Sequence, residues 1–119
     1  MTILPFSKEE QVKLLLARKL FAEIEKLFPN TPDSWKMLTI TKSDVLDYLR
    51  SHSDASTDFF GKAGFGNACP NWHDVPAVWK EGSLYRVAWL EHGKPINGTD
   101  YPTLDEAIAN YISLRYLGV

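Results

Sequence analysis

The chain has 119 residues, 45% of them hydrophobic, four tryptophans and a formal net charge of −2. That is enough apolar material for one buried core, and residues 1–119 read as a single domain. The mixed charge, 13 basic against 15 acidic side chains, supplies no basic field that would favour nucleic acid or an anionic membrane.

One cysteine, Cys69, excludes an intramolecular disulfide and fits a reducing compartment. Met1 to Glu10 lacks a basic segment followed by an apolar run, so no signal peptide is expected. No apolar stretch approaches the roughly 20 residues that span a bilayer. A cytoplasmic protein without membrane contact is expected.

In chain order, Ser7-Lys8-Glu9-Glu10 has the form of a capping box, and the spacing predicts one long helix from there to about Phe28. Leu14, Ala17, Phe21, Ile24 and Phe28 form its apolar stripe, widened by Leu16, Leu20 and Leu27. Val12 and Leu15 fall outside the stripe. Thr31-Pro32 has the form of a helix start, and Trp35 to Leu38 reads as a short helix or a short extended piece. Thr41-Lys42-Ser43-Asp44 caps the next helix, whose apolar residues are Val45, Leu46, Tyr48 and Leu49 and whose end falls at Ser51 to Ser53. Asp44, Asp47, Asp54 and Asp58 make the region acidic, with Arg50 alone opposing them. Two readings stand for these carboxylates: a solvated surface with helix caps, or a patch that meets a basic partner.

Thr57 to Lys80 reads as a long loop rich in glycine, proline and aromatic residues. Long loops are often functional. Its aromatics, including Phe59, Phe60, Phe65 and Trp72, either pin the loop to the core or present anchors to a partner. Cys69 and His73 are too sparse a pair for a structural zinc site, and no metal or cofactor is expected. Gly61 to Gly66 does not fit a phosphate loop, because the lysine precedes the last glycine and no Ser or Thr follows it. Ala77 to Trp79 reads as a short strand.

Leu84 to Glu91 is a strand with apolar residues on both faces, as expected of a central strand. Arg86 is its exception and needs an acid, an exit to solvent, or an anionic ligand. His92-Gly93 is a turn signal. Lys94 to Pro102, with two prolines, suits an edge strand or an irregular return, and Asn97-Gly98 is itself a tight-turn pair. Thr103 with Glu106 opens a last helix carrying the stripe Leu104, Ile108, Tyr111, Ile112 and Leu114, with Gly118 as its stop.

The run Tyr85-Arg86-Val87-Ala88-Trp89, Gly93-Lys94 and Tyr101-Pro102-Thr103-Leu104-Asp105-Glu106-Ala107 resembles the three-stranded arm-binding domains of tyrosine integrases, which share their sheet-plus-helix plan with plant AP2 domains. That resemblance covers about a third of the chain and implies a sheet that reads DNA. Between Tyr85 and Tyr101, however, only Arg86 and Lys94 are basic, opposed by Glu91 and Asp100. The phosphate contacts that supply most DNA affinity are therefore missing.

The expected fold is α+β: N-terminal helices, then an antiparallel sheet of two to four strands with a C-terminal helix packed on it. The expected function is non-enzymatic binding of a protein partner, in the manner of a small bacterial inhibitor of toxin-immunity type. The candidate contact residues are Asp44, Asp47, Asp54, Asp58, Phe59, Phe60, Phe65, Trp72, His73 and Arg86. The alternative is a nucleic-acid-associated module with a basic face of Lys62, Lys80, Arg86 and Lys94. A third reading, a small enzyme using Arg86, His73 or Cys69, requires at least two of these to converge in a cleft within hydrogen-bonding reach. Partner identity and oligomeric state are left open.

Overall fold

The computed structural model describes residues 4–30, 34–52, 54–63, 75–91 and 94–117. Helices precede a three-stranded antiparallel sheet, and a C-terminal helix packs on the sheet, as expected of an α+β chain. The elements are α1 (Lys8–Leu16), α2 (Leu20–Leu27), a 3-10 turn (Ser34–Met37), α3 (Lys42–Ser51), α4 (Ala55–Ala63), β1 (Val75–Glu81), β2 (Leu84–Glu91), β3 (Lys94–Tyr101) and α5 (Leu104–Tyr116).

The two N-terminal capping boxes form. Ser7 Oγ accepts from the Glu10 amide and Glu10 accepts from the Ser7 amide; Thr41 and Asp44 repeat the exchange. At α5, Thr103 Oγ accepts from the Glu106 amide and donates to the Glu106 carboxylate. Gly118 lies outside the described residues.

The single long helix expected over residues 7–28 is instead two. Arg18 adopts a left-handed conformation at φ 61°. The Lys19 amide donates to the Leu14 carbonyl and the Arg18 amide to the Leu15 carbonyl, at 2.9 and 3.0 Å. This is a Schellman closure with arginine where glycine is usual. The reason lies in burial. Gln11, Val12 and Leu15 are buried on α1, and Leu20 and Ile24 on α2. At 100° per residue, a continuous helix would set those two groups about 150° apart around its axis. The break turns both inward. It also makes Val12 and Leu15, which fall outside the predicted stripe, part of the core.

A second departure concerns the predicted loop from Thr57. Thr57 to Ala63 belong to α4, and β1 runs from Val75 rather than Ala77. Gly61 in a helix interior costs about 1 kcal/mol relative to alanine, but α4 is held to α5 at two points. Phe59 is buried against Tyr111, with ring centroids 6.0 Å apart, and the buried Ser56 hydroxyl donates to Asp105 of α5.

In the sheet, β2 is central, between β1 and β3. Glu81 pairs with Leu84 across a two-residue turn, with Gly82 at φ 64°. That turn takes glycine at its first position for this reason. Asn97-Gly98 does not reverse the chain. Val87 pairs with Thr99 but Trp89 with Ile96, so both residues lie opposite Ala88 as a bulge, with Asn97 at φ 54°. Asparagine tolerates this backbone, which is why a turn-like pair can sit inside a strand. Pro76 and Pro95 both fall on edge strands, where a missing donor is least costly.

Val78, Val87 and Tyr85 join the main core with α5, while Ala77, Trp79, Ala88 and Leu90 form a second buried cluster. Central burial on both faces therefore holds for Val87, Ala88 and Leu90. Trp89 and Leu84 depart from it, each 38% exposed.

α5 packs on all three strands and on α3 and α4. Its buried residues are Ala107, Ile108, Ala109, Tyr111, Ile112 and Ser113, an arc of about 240° at 100° per residue. The predicted stripe was narrower and included Leu114, which is exposed. A helix covered on two sides buries its small residues as well as its large ones.

Gln11 ties α1 to the segment before α3. It is 1% exposed; its amide nitrogen donates to the Phe6 carbonyl and Thr39 Oγ1, and its oxygen accepts from the Thr39 amide. Replacing Gln11 by Leu strands these groups, each unsatisfied group costing about 1–3 kcal/mol. Gln11→Leu is therefore expected to lower stability by roughly 2–3 kcal/mol, seen as a reduced urea midpoint at unchanged slope.

Candidate functional site

Among the candidate acidic residues, Asp44 and Asp47 line one depression and Asp58 another. On α3, Asp44, Asp47, Tyr48 and Ser51 share a face, at helical spacings of three and four. That face meets α1 and leaves a depression of about 250 Å3 lined by Lys8, Glu9, Asp44, Asp47, Tyr48 and His52, among others. Asp44 is partly engaged: it caps Thr41 and lies 3.7 Å from Lys8 Nζ. Asp47 is exposed and makes no side-chain bond.

His52 closes this depression. Its ring stacks on Tyr48 with centroids 3.8 Å apart, and its Nε2 lies 3.4 Å from Glu9 Oε1. Ser51, His52 and Glu9 thus sit in serine, histidine, carboxylate order. Their hydrogen bonds do not form a nucleophile and base, however. Nδ1 lies 2.9 Å from the Tyr48 carbonyl, an acceptor only, and 3.1 Å from Ser51 Oγ; the proton it directs at the carbonyl leaves it no lone pair with which to act as base toward that hydroxyl. Ser51 Oγ donates to the same carbonyl at 3.1 Å. The histidine is a helix C-terminal cap, as its backbone amide bond to Tyr48 also shows.

Tyr48 borders a second depression on its other side, a groove of about 490 Å3 between the end of α1 and α4. Lys13, Arg18 and Lys19 line one wall and Asp58 the other, with the buried Phe59 between them. Asp58 is thus set among cations and apart from Asp44 and Asp47. Asp54 occupies the turn between α3 and α4, exposed, with φ 74°.

The remaining candidates lie elsewhere. Phe59 is 4% exposed, and Phe60 is half-buried with its ring edge-on to Tyr85 at 6.1 Å. Phe65, Trp72 and His73 lie outside the described residues, as does Cys69. Arg86 meets its acid across the sheet. Nε and Nη2 donate to the two carboxylate oxygens of Asp100 at 2.7 and 3.1 Å, between residues directly opposed in register. The absent side chain of Gly98 leaves room for this arginine: a Cβ there would meet Arg86 Cδ at 3.3 Å. Hydrogen bonding to Asp100 raises the Arg86 pKa, and bonding to Arg86 holds the Asp100 carboxyl below its usual range. Among the described residues no group of three or more His, Cys, Asp or Glu side chains is placed to hold a metal, and no helix is long and apolar enough to cross a membrane.

Tyr48, His52 and Glu9 are the residues of this surface that the sequence did not single out. Tyr48 reads as one more apolar residue of α3, and Glu9 reaches the site only through the packing of α1 on α3. The signal available was the spacing of Tyr48 after Asp44 and Asp47 on one helical face. No protein family, curated protein or solved structure matches the chain. The likeness to integrase arm-binding domains accordingly rests on residue pattern and the order of three strands and a helix.

Two titrations check this electrostatic picture. Asp100 has its pKa below 3.8 in the fold, so the pair's contribution is present above that value and is lost as pH falls through the folded pKa. In Arg86→Met, NMR titration is expected to return the Asp100 carboxyl upward toward its ordinary range. The thermal midpoint at neutral pH should scarcely move, because the pair is exposed. Tyr111 behaves oppositely. Burial pushes its phenol from 10 up to about 12, against the pull of the nearby Arg115 charge. A folded pKa raised above the unfolded one means stability intact below about pH 10 and lost progressively toward pH 12. Tyr111→Phe is expected to remove that share of the alkaline loss, measured by urea unfolding across that range.

Proposed function

We propose that this chain is a non-catalytic binding protein that acts in the cytoplasm. Its α1–α3 surface docks a basic protein partner, in the manner of bacterial toxin-immunity inhibitors. The observation that carries the reading is the setting of Tyr48. A half-buried aromatic ring, stacked on His52, stands beside a depression edged by Glu9, Asp44 and Asp47. A rigid aromatic gives area at low entropic cost, and flanking carboxylates give register and encounter rate. Among the described residues, Lys8 is the one lysine or arginine lining that depression, and 61% of its side chain is exposed. A partner's arginine or lysine would compete with it for Asp44.

The nucleic-acid alternative draws less support from the sheet. Arg86 is engaged by Asp100, and Lys94 is directly opposite Glu91. Two of the four cations it needs are thus offset by adjacent acids.

The test is to recover the partner from the native host with the full chain as bait, purify it, and titrate it against single variants. Tyr48→Ala is expected to weaken binding by roughly 30-fold, the scale of a hot-spot residue. Asp47→Lys is expected to slow association and flatten its salt dependence, with a smaller change in dissociation. A purified partner bound equally well by both variants, or turnover of a small molecule by the chain, would overturn the reading.

A further inference from the structure

The groove between the end of α1 and α4 has the opposite electrostatic character from the acidic depression. We propose that it is a separate binding site for an acidic peptide segment of a partner protein, with carboxylate side chains flanking an apolar one. The inference stands apart from the proposed role of the α1–α3 surface, because its residues other than Tyr48 are different.

Three cations face one carboxylate in this groove: Lys13, Arg18 and Lys19 against Asp58. The Lys13 and Lys19 side chains make no hydrogen bond or ion pair with any residue of the described structure, so neither ammonium has a contact to lose on binding an anion. Their backbone is well held. The Schellman bonds from Arg18 and Lys19 fix the end of α1, so the charges sit on a set frame. Arg18 lies over the groove floor, its guanidinium carbon 5.8 Å from the Phe59 ring centroid. That contact holds a cation beside an apolar surface made by Phe59, Leu16 and Ala17. The volume, about 490 Å3, falls in the range of about 300–1,000 Å3 typical of ligand clefts.

Asp58 chooses between kinds of anion. A phosphodiester chain offers acceptors and negative charge only, and would leave this carboxylate facing like charge. A peptide alternates carboxylates with amide N–H donors. It can therefore satisfy the lysines and Asp58 together. An apolar side chain between two glutamates would lie on Leu16 and Ala17 while the carboxylates reach Lys13 and Lys19.

The experiment titrates the full chain with acetyl-Glu-Glu-Leu-Glu-Glu-amide, followed by calorimetry and amide chemical shifts. The controls are the lysine counterpart of the peptide, inorganic phosphate and a short single-stranded oligonucleotide. Saturable binding of the acidic peptide is expected, with shifts confined to Lys13–Lys19 and Ala55–Phe59. Binding should weaken by roughly tenfold in Lys13→Glu/Lys19→Glu and stay unchanged in Asp47→Lys, which separates this site from the acidic depression. Lys13→Gln/Lys19→Gln serves as a milder pair, expected to show the same direction with a reduced salt dependence. Absence of saturable binding, indifference to both lysine pairs, or tighter binding of phosphate or the oligonucleotide would overturn the proposal.

Discussion

The structure depends on the double coverage of α5. Its side toward the sheet packs on all three strands, and its other side packs on α3 and α4. Ile108 and Ile112 are wholly buried, and the small residues Ala107, Ala109 and Ser113 bring neighbouring elements close. Apolar burial of this kind is worth about 25 cal/mol per Å2 and is the dominant favourable term in folding. Polar contacts then fix position: Ser56 on Asp105 sets α4, and Lys42 on Asn110 sets α3 at 3.3 Å. α5 therefore joins the sheet to the helical half of the chain through α3 and α4.

The break at Arg18 follows from that constraint and has a consequence for the surface. A straight N-terminal helix would leave either Val12 and Leu15 or Leu20 and Ile24 in water. Ending α1 in a left-handed arginine costs something in backbone strain. It is offset by burying both sets, and by the placement of the guanidinium over Phe59. The same closure fixes three cations along the rim of a groove. The surface feature therefore originates in a packing requirement of the core.

Much of this was legible in the sequence because it rests on local chemistry. The caps at Ser7, Thr41 and Thr103 each pair a hydroxyl with an acid three residues on, and each forms. β2 is central, as two apolar faces imply, and both prolines of the sheet lie on edges. What was not legible depended on tertiary context. The end of α1 carries neither glycine nor proline, so no local signal marks it. α4 runs through a glycine and two phenylalanines that read as loop, because its stability comes from Tyr111 and Asp105, far along the chain. The bulge at Asn97 uses a turn pair for a different purpose. The site divides the same way: the acidic residues were visible by composition, whereas the separation of Asp58 from Asp44 and Asp47 needed the packing of three helices.

That separation changes what the net charge means. A total of −2 suggests a weakly acidic surface, yet Glu9, Asp44 and Asp47 are gathered on one side of Tyr48 and Lys13, Arg18 and Lys19 on the other. At physiological salt the Debye length is about 8 Å, so a partner at the surface responds to each depression rather than to the sum. The net charge accordingly contributes little to steering, and each depression acts on a partner that approaches it. On the proposed reading, recognition comes at short range, where the opposite charges of two depressions that share Tyr48 fix orientation as well as position. A partner that engaged both depressions would tolerate little rotation, since turning it would bring like charges together.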